Sequence, residues 1–139
     1  MCVLALAWRA HPRWRLVLAA NRDELHARPA APLASWVEDP QILAGRDLAS
    51  GGTWLGVSGR GRLAVVTNLH TGARPVPTAP SRGLLLKTLL TDPHGSGHPA
   101  PDTLADYNPF SLITVAGGRA VFASNHPQPE THDLAPGLY

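Results

Sequence analysis

Cys2 follows Met1 and is the single cysteine of this 139-residue chain. Removal of Met1, expected when the next residue is small, would leave a cysteine that carries both a thiol and a free α-amine. Thiols titrate near ~8.5 and α-amines near ~7.7 to 8.0, so close to neutrality the amine can take the thiol proton. A nucleophile activated by its own terminal amine is an established form of covalent catalysis. The same Met-Cys pair also fits a small, buried, apolar residue opening a strand.

The second cluster is Asn21-Arg22-Asp23-Glu24, where the apolar run of "LVLAANRDELHARP" stops. If the strand before it pairs with the strand that starts at Cys2, around a connection at residues 9–13, positions summing to about 22 lie opposite one another. That register sets Ala20 and Asn21 across from Cys2 and brings Arg22 and Asp23 to the same end of the sheet. An arginine there can lower a thiol's pKa and hold a substrate carboxylate. An aspartate can hold the α-ammonium or orient the arginine. The four residues also fit a solvated strand-end turn with a surface ion pair.

Asn68, closing "LAVVTNLH", is a neutral donor at a strand end and could hold an oxyanion as the thiol attacks a carbonyl. Asn125 in "FASNH" has the same character, and either could instead cap a loop. No metal site is expected. His94 and His98 have helical spacing, but Pro93, Gly95, Gly97 and Pro99 exclude the helix that would aim them together. "SGRGR" and "AGGRA" lack the strand-to-helix setting and the Lys-Ser/Thr of a phosphate loop, and no serine nucleophile elbow is present.

Composition narrows the classes further. Hydrophobic residues make up 44% and charged residues 16%, which suits a chain that buries a core. The net charge is +2, with a single lysine (Lys87) and arginines scattered from Arg9 to Arg119 rather than clustered, so no nucleic-acid partner is expected. The longest apolar run, Val3 to Trp8, is far short of the ~20 residues that span a bilayer, and no signal peptide is recognisable. A lone cysteine fits a reducing, cytoplasmic setting.

These residues must be positioned by strands. "CVLALAW" (Cys2 to Trp8) and "WRLVLAA" (Trp14 to Ala20) read as a hairpin, and the first is apolar on both faces, which predicts cover on both sides. Residues 26–50 read as irregular because of Pro29, Pro32 and Pro40. Thr53 to Ser58 and Arg62 to Leu69 read as strands around a Gly-Arg-Gly turn, and 71–80 as a proline loop. "SRGLLLKTLLT" predicts a helix capped by Ser81, with Leu84, Leu85, Leu89 and Leu90 on its apolar stripe. Pro101 to Tyr107 reads as a short helix, and "FSLITVAGGRAVFASN" as a hairpin on Gly117-Gly118. Paired strands with helices grouped between them predict an α+β fold. The apolar, strand-like "APGLY" ending suggests a cut through an element, so residues 1–139 read as a single domain or an N-terminal fragment of one.

Five ordered motifs, "MC", "LVLAANRDE" with "RP" after it, "ILAGRDLASGGTWLGV", "VTN" and "YNPFSLI", resemble the NRDE family, the Transport and Golgi organisation 2 homologues. The resemblance runs along nearly the whole chain. It implies an αββα arrangement like that of N-terminal-nucleophile hydrolases: stacked antiparallel sheets flanked by helices, incomplete in this chain because family members are longer. It also implies Cys2, Asn21, Arg22, Asp23 and Glu24 as signature positions, with Arg22 and Glu24 binding substrate. The cysteine amidases of that fold carry Arg-Asn-x-Asp at this point; here Ala20 replaces that arginine, while Asn21 and Asp23 match. Two functions follow as expectations. One is an amidohydrolase or thioesterase-like enzyme using Cys2, without a cofactor, on a small amphipathic acyl or amide metabolite. The other is a non-catalytic carrier of haem or a similar amphipathic ligand, with Cys2 or His70 as an iron ligand.

Overall fold

Glycine turns and alternating apolar residues build the larger sheet. In the computed structural model, which describes residues 2–139, Gly117 and Gly118 both take positive φ (56° and 77°), the backbone that a tight hairpin requires. They join β7 (Phe110–Ala116) to β8 (Arg119–Ser124) as a continuous antiparallel pair. Gly61, at φ 70°, similarly closes the turn between β5 (Leu55–Ser58) and β6 (Arg62–Asn68). With β3 (Ala30–Ser35), β4 (Ile42–Asp47) and β9 (Glu130–Asp133), these strands form a seven-stranded meander in the order β3-β4-β5-β6-β7-β8-β9. A second sheet, β10-β1-β2, contains β1 (Val3–Trp8), β2 (Leu16–Asn21) and the terminal β10 (Gly137–Leu138). The fold is α+β and its strands pair antiparallel.

The central strand β6 is apolar on both faces because something packs on each. Leu6 and Trp8 of the small sheet bury against Val65, Ile113, Ala120 and Leu134 on one side. On the other side, α1 (Arg82–Thr91) sets Leu86, Leu89 and Leu90 against Ala64, Val66, Leu112 and Ala123. The layers are therefore helix, large sheet, small sheet. Among the described residues no helix is long and apolar enough to cross a membrane.

Helix α1 is held at both ends. Ser81 caps it by accepting from the Leu84 N–H, as the sequence predicts. Arg62 on β6 donates to the Leu89 and Asp92 carbonyls at the C-terminus (2.9 and 2.8 Å). At the N-terminus, Gly52 and Gly83 meet backbone to backbone: a Cβ built on Gly52 would lie 2.3 Å from the Gly83 carbonyl carbon. Thr53 N–H donates to Gly83 C=O across this contact (3.2 Å).

The structure corrects several expectations. Residues 26–50 are not irregular: they hold β3 and β4. Pro32 is tolerated because β3 is an edge strand with a register shift between Ala31 and Ala34, where a missing N–H breaks no ladder bond. The small sheet is covered on one face only, so Val3 is 60% exposed while Leu6 and Trp8 are buried. On α1, Leu86 is buried and Leu84 exposed. Pro101–Asp106 is a 3₁₀ helix, and Glu130–Asp133 adds β9, a strand that the sequence pattern does not mark. The β1–β2 register sums to 24, as in Leu4 with Ala20 and Val3 with Asn21. The two-residue difference arises because the connection runs from Arg9 to Arg15. The His11 ring nitrogen accepts from Arg13 N–H and Trp14 N–H there, drawing Trp14 out of the strand.

Gly52→Ala is expected to destabilise the protein by about 1–3 kcal/mol, the usual cost of forcing atoms into a packed contact. The shift in urea midpoint checks this, and an unshifted midpoint would show that the helix end moves freely.

Candidate functional site

One end of both sheets converges on a cleft of about 430 Å³. The small sheet contributes Cys2, just before β1, and Arg22, Asp23 and Glu24, just after β2. Continuing the observed register by one residue sets Cys2 opposite Arg22, rather than Ala20. The large sheet contributes Asp47 at the end of β4, then Thr53 and Trp54, and Val66 and Asn68 on β6. Arg28, the 75–80 proline loop, Ser81 and Arg82 at the start of α1, and Asn108 complete the wall.

Asp47 organises the charges. It is 8% exposed and accepts hydrogen bonds on both oxygens: Ala49 and Ser50 N–H on Oδ1 (3.0 Å each), Arg22 and Arg28 on Oδ2 (3.2 and 2.6 Å). Burial alone would raise its pKa. The bond from Arg28 and the two backbone donors outweigh that and hold the carboxyl below its ordinary value. Arg28 is correspondingly raised, chiefly by the same bond. The Arg22 guanidinium also lies over the Trp54 ring, 4.5 Å from its centroid. Glu24 stands 3.9 Å from both arginines, a looser contact.

Cys2 is half-buried, and its Sγ lies 4.0 Å from the Asp23 carbonyl oxygen, the long limit for a thiol donor. It lines a second cavity as well, about 320 Å³ between the two sheets, walled by Leu4, Val65, Ile113, Phe122 and Leu134. The thiol thus stands where a charged cleft and an apolar gap adjoin. Met1, whose removal would free the Cys2 amine, lies outside the described residues.

The two asparagines separate. Asn68 lines the cleft, half-buried, and its amide makes no hydrogen bond among the described residues. The Asn125 amide is consumed in the fold: it accepts from Phe110 N–H and donates to the Leu104 and Tyr107 carbonyls. Asn21 is the last residue of β2 and does not line either cavity, whereas Arg22, Asp23 and Glu24 line the cleft. His70 is exposed, and among the described residues no histidine lines either cavity.

Sequence reasoning passed over Arg28, Asp47, Arg82 and Asn108. The "RP" and "GRD" motifs contained Arg28 and Asp47, but their pairing joins segments 19 residues apart. Asn108 was part of the quoted "YNPF"; its amide clamps the proline loop, donating to Val76 C=O and accepting from Val76 N–H (2.9 and 2.7 Å).

Comparison with known proteins agrees with the motif reading. The family model described as Transport and Golgi organisation 2 matches residues 1–139. The chain is 34% identical over 154 residues to the Transport and Golgi organization 2 homolog of Mus musculus. It is 35% identical over 154 residues to the Transport and Golgi organization protein 2 homolog of Bos taurus and 33% over 156 to that of Homo sapiens. Each alignment covers 100% of this chain and 55% of the relative, so the chain spans about half the length of the curated relatives it matches.

Asp47→Asn is expected to cost about 2–3 kcal/mol, since it weakens charge-assisted bonds in a buried site. Because folding lowers the Asp47 pKa, its contribution is complete above the unfolded value of about 3.9 and is lost as pH falls through the folded value. The stability gap between wild type and variant should therefore be full near neutrality and close in acid. Urea titrations across that range check it, and a gap that widens in acid would refute the assignment.

Proposed function

The chain belongs to the Transport and Golgi organisation 2 family, and on that premise we propose that its cleft hydrolyses an amide or thioester of an amphipathic metabolite through Cys2. The observation that carries this reading is that Cys2 lines both cavities. A substrate's polar part fits the charged cleft and its apolar part the gap between the sheets, which sets the bond joining them at the thiol.

The chemistry follows from the groups at hand. Once Met1 is removed, the Cys2 α-amine takes the thiol proton and the sulfur attacks the carbonyl carbon. The carbonyl π electrons move to oxygen, and the Asn68 amide, which makes no hydrogen bond among the described residues, is the donor available to that oxyanion. Collapse of the intermediate re-forms the carbonyl and breaks the bond to the leaving nitrogen or sulfur, which takes the proton from the α-ammonium. Water, deprotonated by the same amine, then cleaves the acyl-Cys2 thioester and releases the acid, and the proton returns to the thiol. Arg22, fixed by Asp47 and Trp54, gives the cleft a positive charge that needs no reorganisation, and Asp23 and Glu24 stand with it to orient substrate and amine.

The apolar gap also favours a second reading, in which the cavities carry haem or another amphipathic ligand without turnover. The residues present fit haem poorly: among the described residues no histidine stands on either wall, the Tyr139 hydroxyl there donates to the Ala135 carbonyl, and Cys2 is left as the candidate iron ligand.

Intact mass of the purified protein, with and without an acylating probe, tests the enzymatic reading. Loss of Met1 and a single acyl adduct that disappears in Cys2→Ala are expected. Retained Met1 on active protein would sink the mechanism. Asn68→Ala should lower kcat by about a hundredfold with KM little changed, as for loss of one oxyanion donor. If haem binds, Cys2→Ala weakens that binding and no acyl adduct is ever trapped, the carrier reading prevails.

A further inference from the structure

The cleft is lined by three arginines, and two of its carboxylates, Asp47 and Glu24, pair with only two of them. Arg22 and Arg28 share Asp47 and both stand near Glu24. Arg82 has no ion pair among the described residues; its one hydrogen bond there is donated to the Pro109 carbonyl (2.9 Å). It is half-buried, and a guanidinium withdrawn from water without a carboxylate partner is unfavourable unless something else compensates it. Burial lowers its pKa and the like charge of Arg28 adds to that, while Glu24 and the Cys2 thiolate act in the opposite direction. Arg82 and Cys2 line the same cleft.

The backbone fixes this placement. Arg82 opens α1, whose N-terminus is locked to the Thr53 strand entry by the Gly52–Gly83 contact and the Thr53 N–H to Gly83 C=O bond. Its stem therefore starts from a rigid point, and the bond to Pro109 leaves other guanidinium donors unassigned among the described residues.

We propose that Arg82 is an anion-recognition residue, so that the ligand of this cleft carries a carboxylate or phosphate group seated against Arg82, close to the bond presented to Cys2. This rests on the reading of the cleft as the substrate site and narrows its substrate class to amphipathic anions. A guanidinium fork can meet either oxyanion with parallel hydrogen bonds, which an ammonium cannot. Among the described residues the ion pairs fall on Arg22 and Arg28 and none on Arg82. A neutral ligand would leave the half-buried Arg82 with only its carbonyl partner at Pro109, whereas an anion completes the set of pairs that Asp47 begins.

Alkylation of the chain's only cysteine supplies the test, because it needs no knowledge of the natural ligand. The rate of Cys2 modification is measured with iodoacetate, which is anionic, and with iodoacetamide, which is neutral. The ratio of the two rates in the folded protein is compared with that in the urea-unfolded chain. A charge-assisted contact is expected to raise the folded ratio about tenfold and to make the iodoacetate reaction saturable. Arg82→Gln should return the ratio to the unfolded value and Arg82→Lys should retain part of it. Arg60→Gln, in an exposed turn, should leave it unchanged and so exclude a simple net-charge effect. Acetate and inorganic phosphate are then added as competitors, and the one that slows the iodoacetate reaction more names the seated group. A folded ratio no higher than the unfolded one, an undiminished ratio in Arg82→Gln, or protection by neither anion would overturn the proposal. Should Arg82→Gln fail to fold, the wild-type ratio, the competition and Arg82→Lys still decide. Retained Met1 or the absence of an acyl adduct would defeat the hydrolase reading without touching these ratios, so the two failures are distinguishable.

Discussion

Asp47 holds a negative charge in a buried position and spends both oxygens on keeping it there. Two bonds come from its own loop, at Ala49 and Ser50, and two from arginines that enter from the segment after β2. That segment links β2 of the small sheet to β3 of the large one, and Arg22 directly follows β2, so its bond to Asp47 ties the end of the small sheet to the large sheet at the mouth of the cleft. Hydrophobic packing of Leu6 and Trp8 on Val65 and Ile113 sets the sheets face to face but is not directional. The hydrogen-bonded charge network supplies the direction, and it decides which residues after β2 line the cleft.

The layering has a chemical consequence. The apolar faces that meet between the sheets leave a gap, and the strand ends that border it are polar. Cys2 sits at that border because it precedes β1, whose inner face lines the gap at Leu4 and packs into the core at Leu6 and Trp8, while its start reaches the charged end. A thiol at a boundary between a charged cleft and an apolar cavity suits a ligand with two unlike halves. Helix α1 then closes the cleft from the other side of the large sheet. It can do so only because Gly52 and Gly83 let its first turn approach the chain closely enough to present Arg82 beside residues of the small sheet.

Much of the fold was legible because its signals are local. The Gly117-Gly118 hairpin, the Ser81 cap and the β5–β6 turn depend on residues within a few positions of one another, and the sequence predicts each of them. The errors share a cause as well. Pro32 argued against a strand, yet an edge position with a bulge tolerates it; β1 looked covered on both faces, yet its neighbours cover one. Propensity reports what a residue prefers, while the location of the edge of a sheet is a property of the whole chain.

The division within the site follows the same physics. The sequence by itself determined which residue types were present: a cysteine beside Met1, a polar cluster closing β2, an asparagine ending β6, and a family membership carried by ordered motifs. Only the tertiary structure decided that, among the described residues, the Asn68 amide makes no hydrogen bond while that of Asn125 is consumed by backbone, and that Arg22 and Arg28 share Asp47 while Arg82 pairs with no carboxylate. The reason is that hydrogen bonds and ion pairs act over a few ångströms in space, and the partners here lie tens of residues apart along the chain.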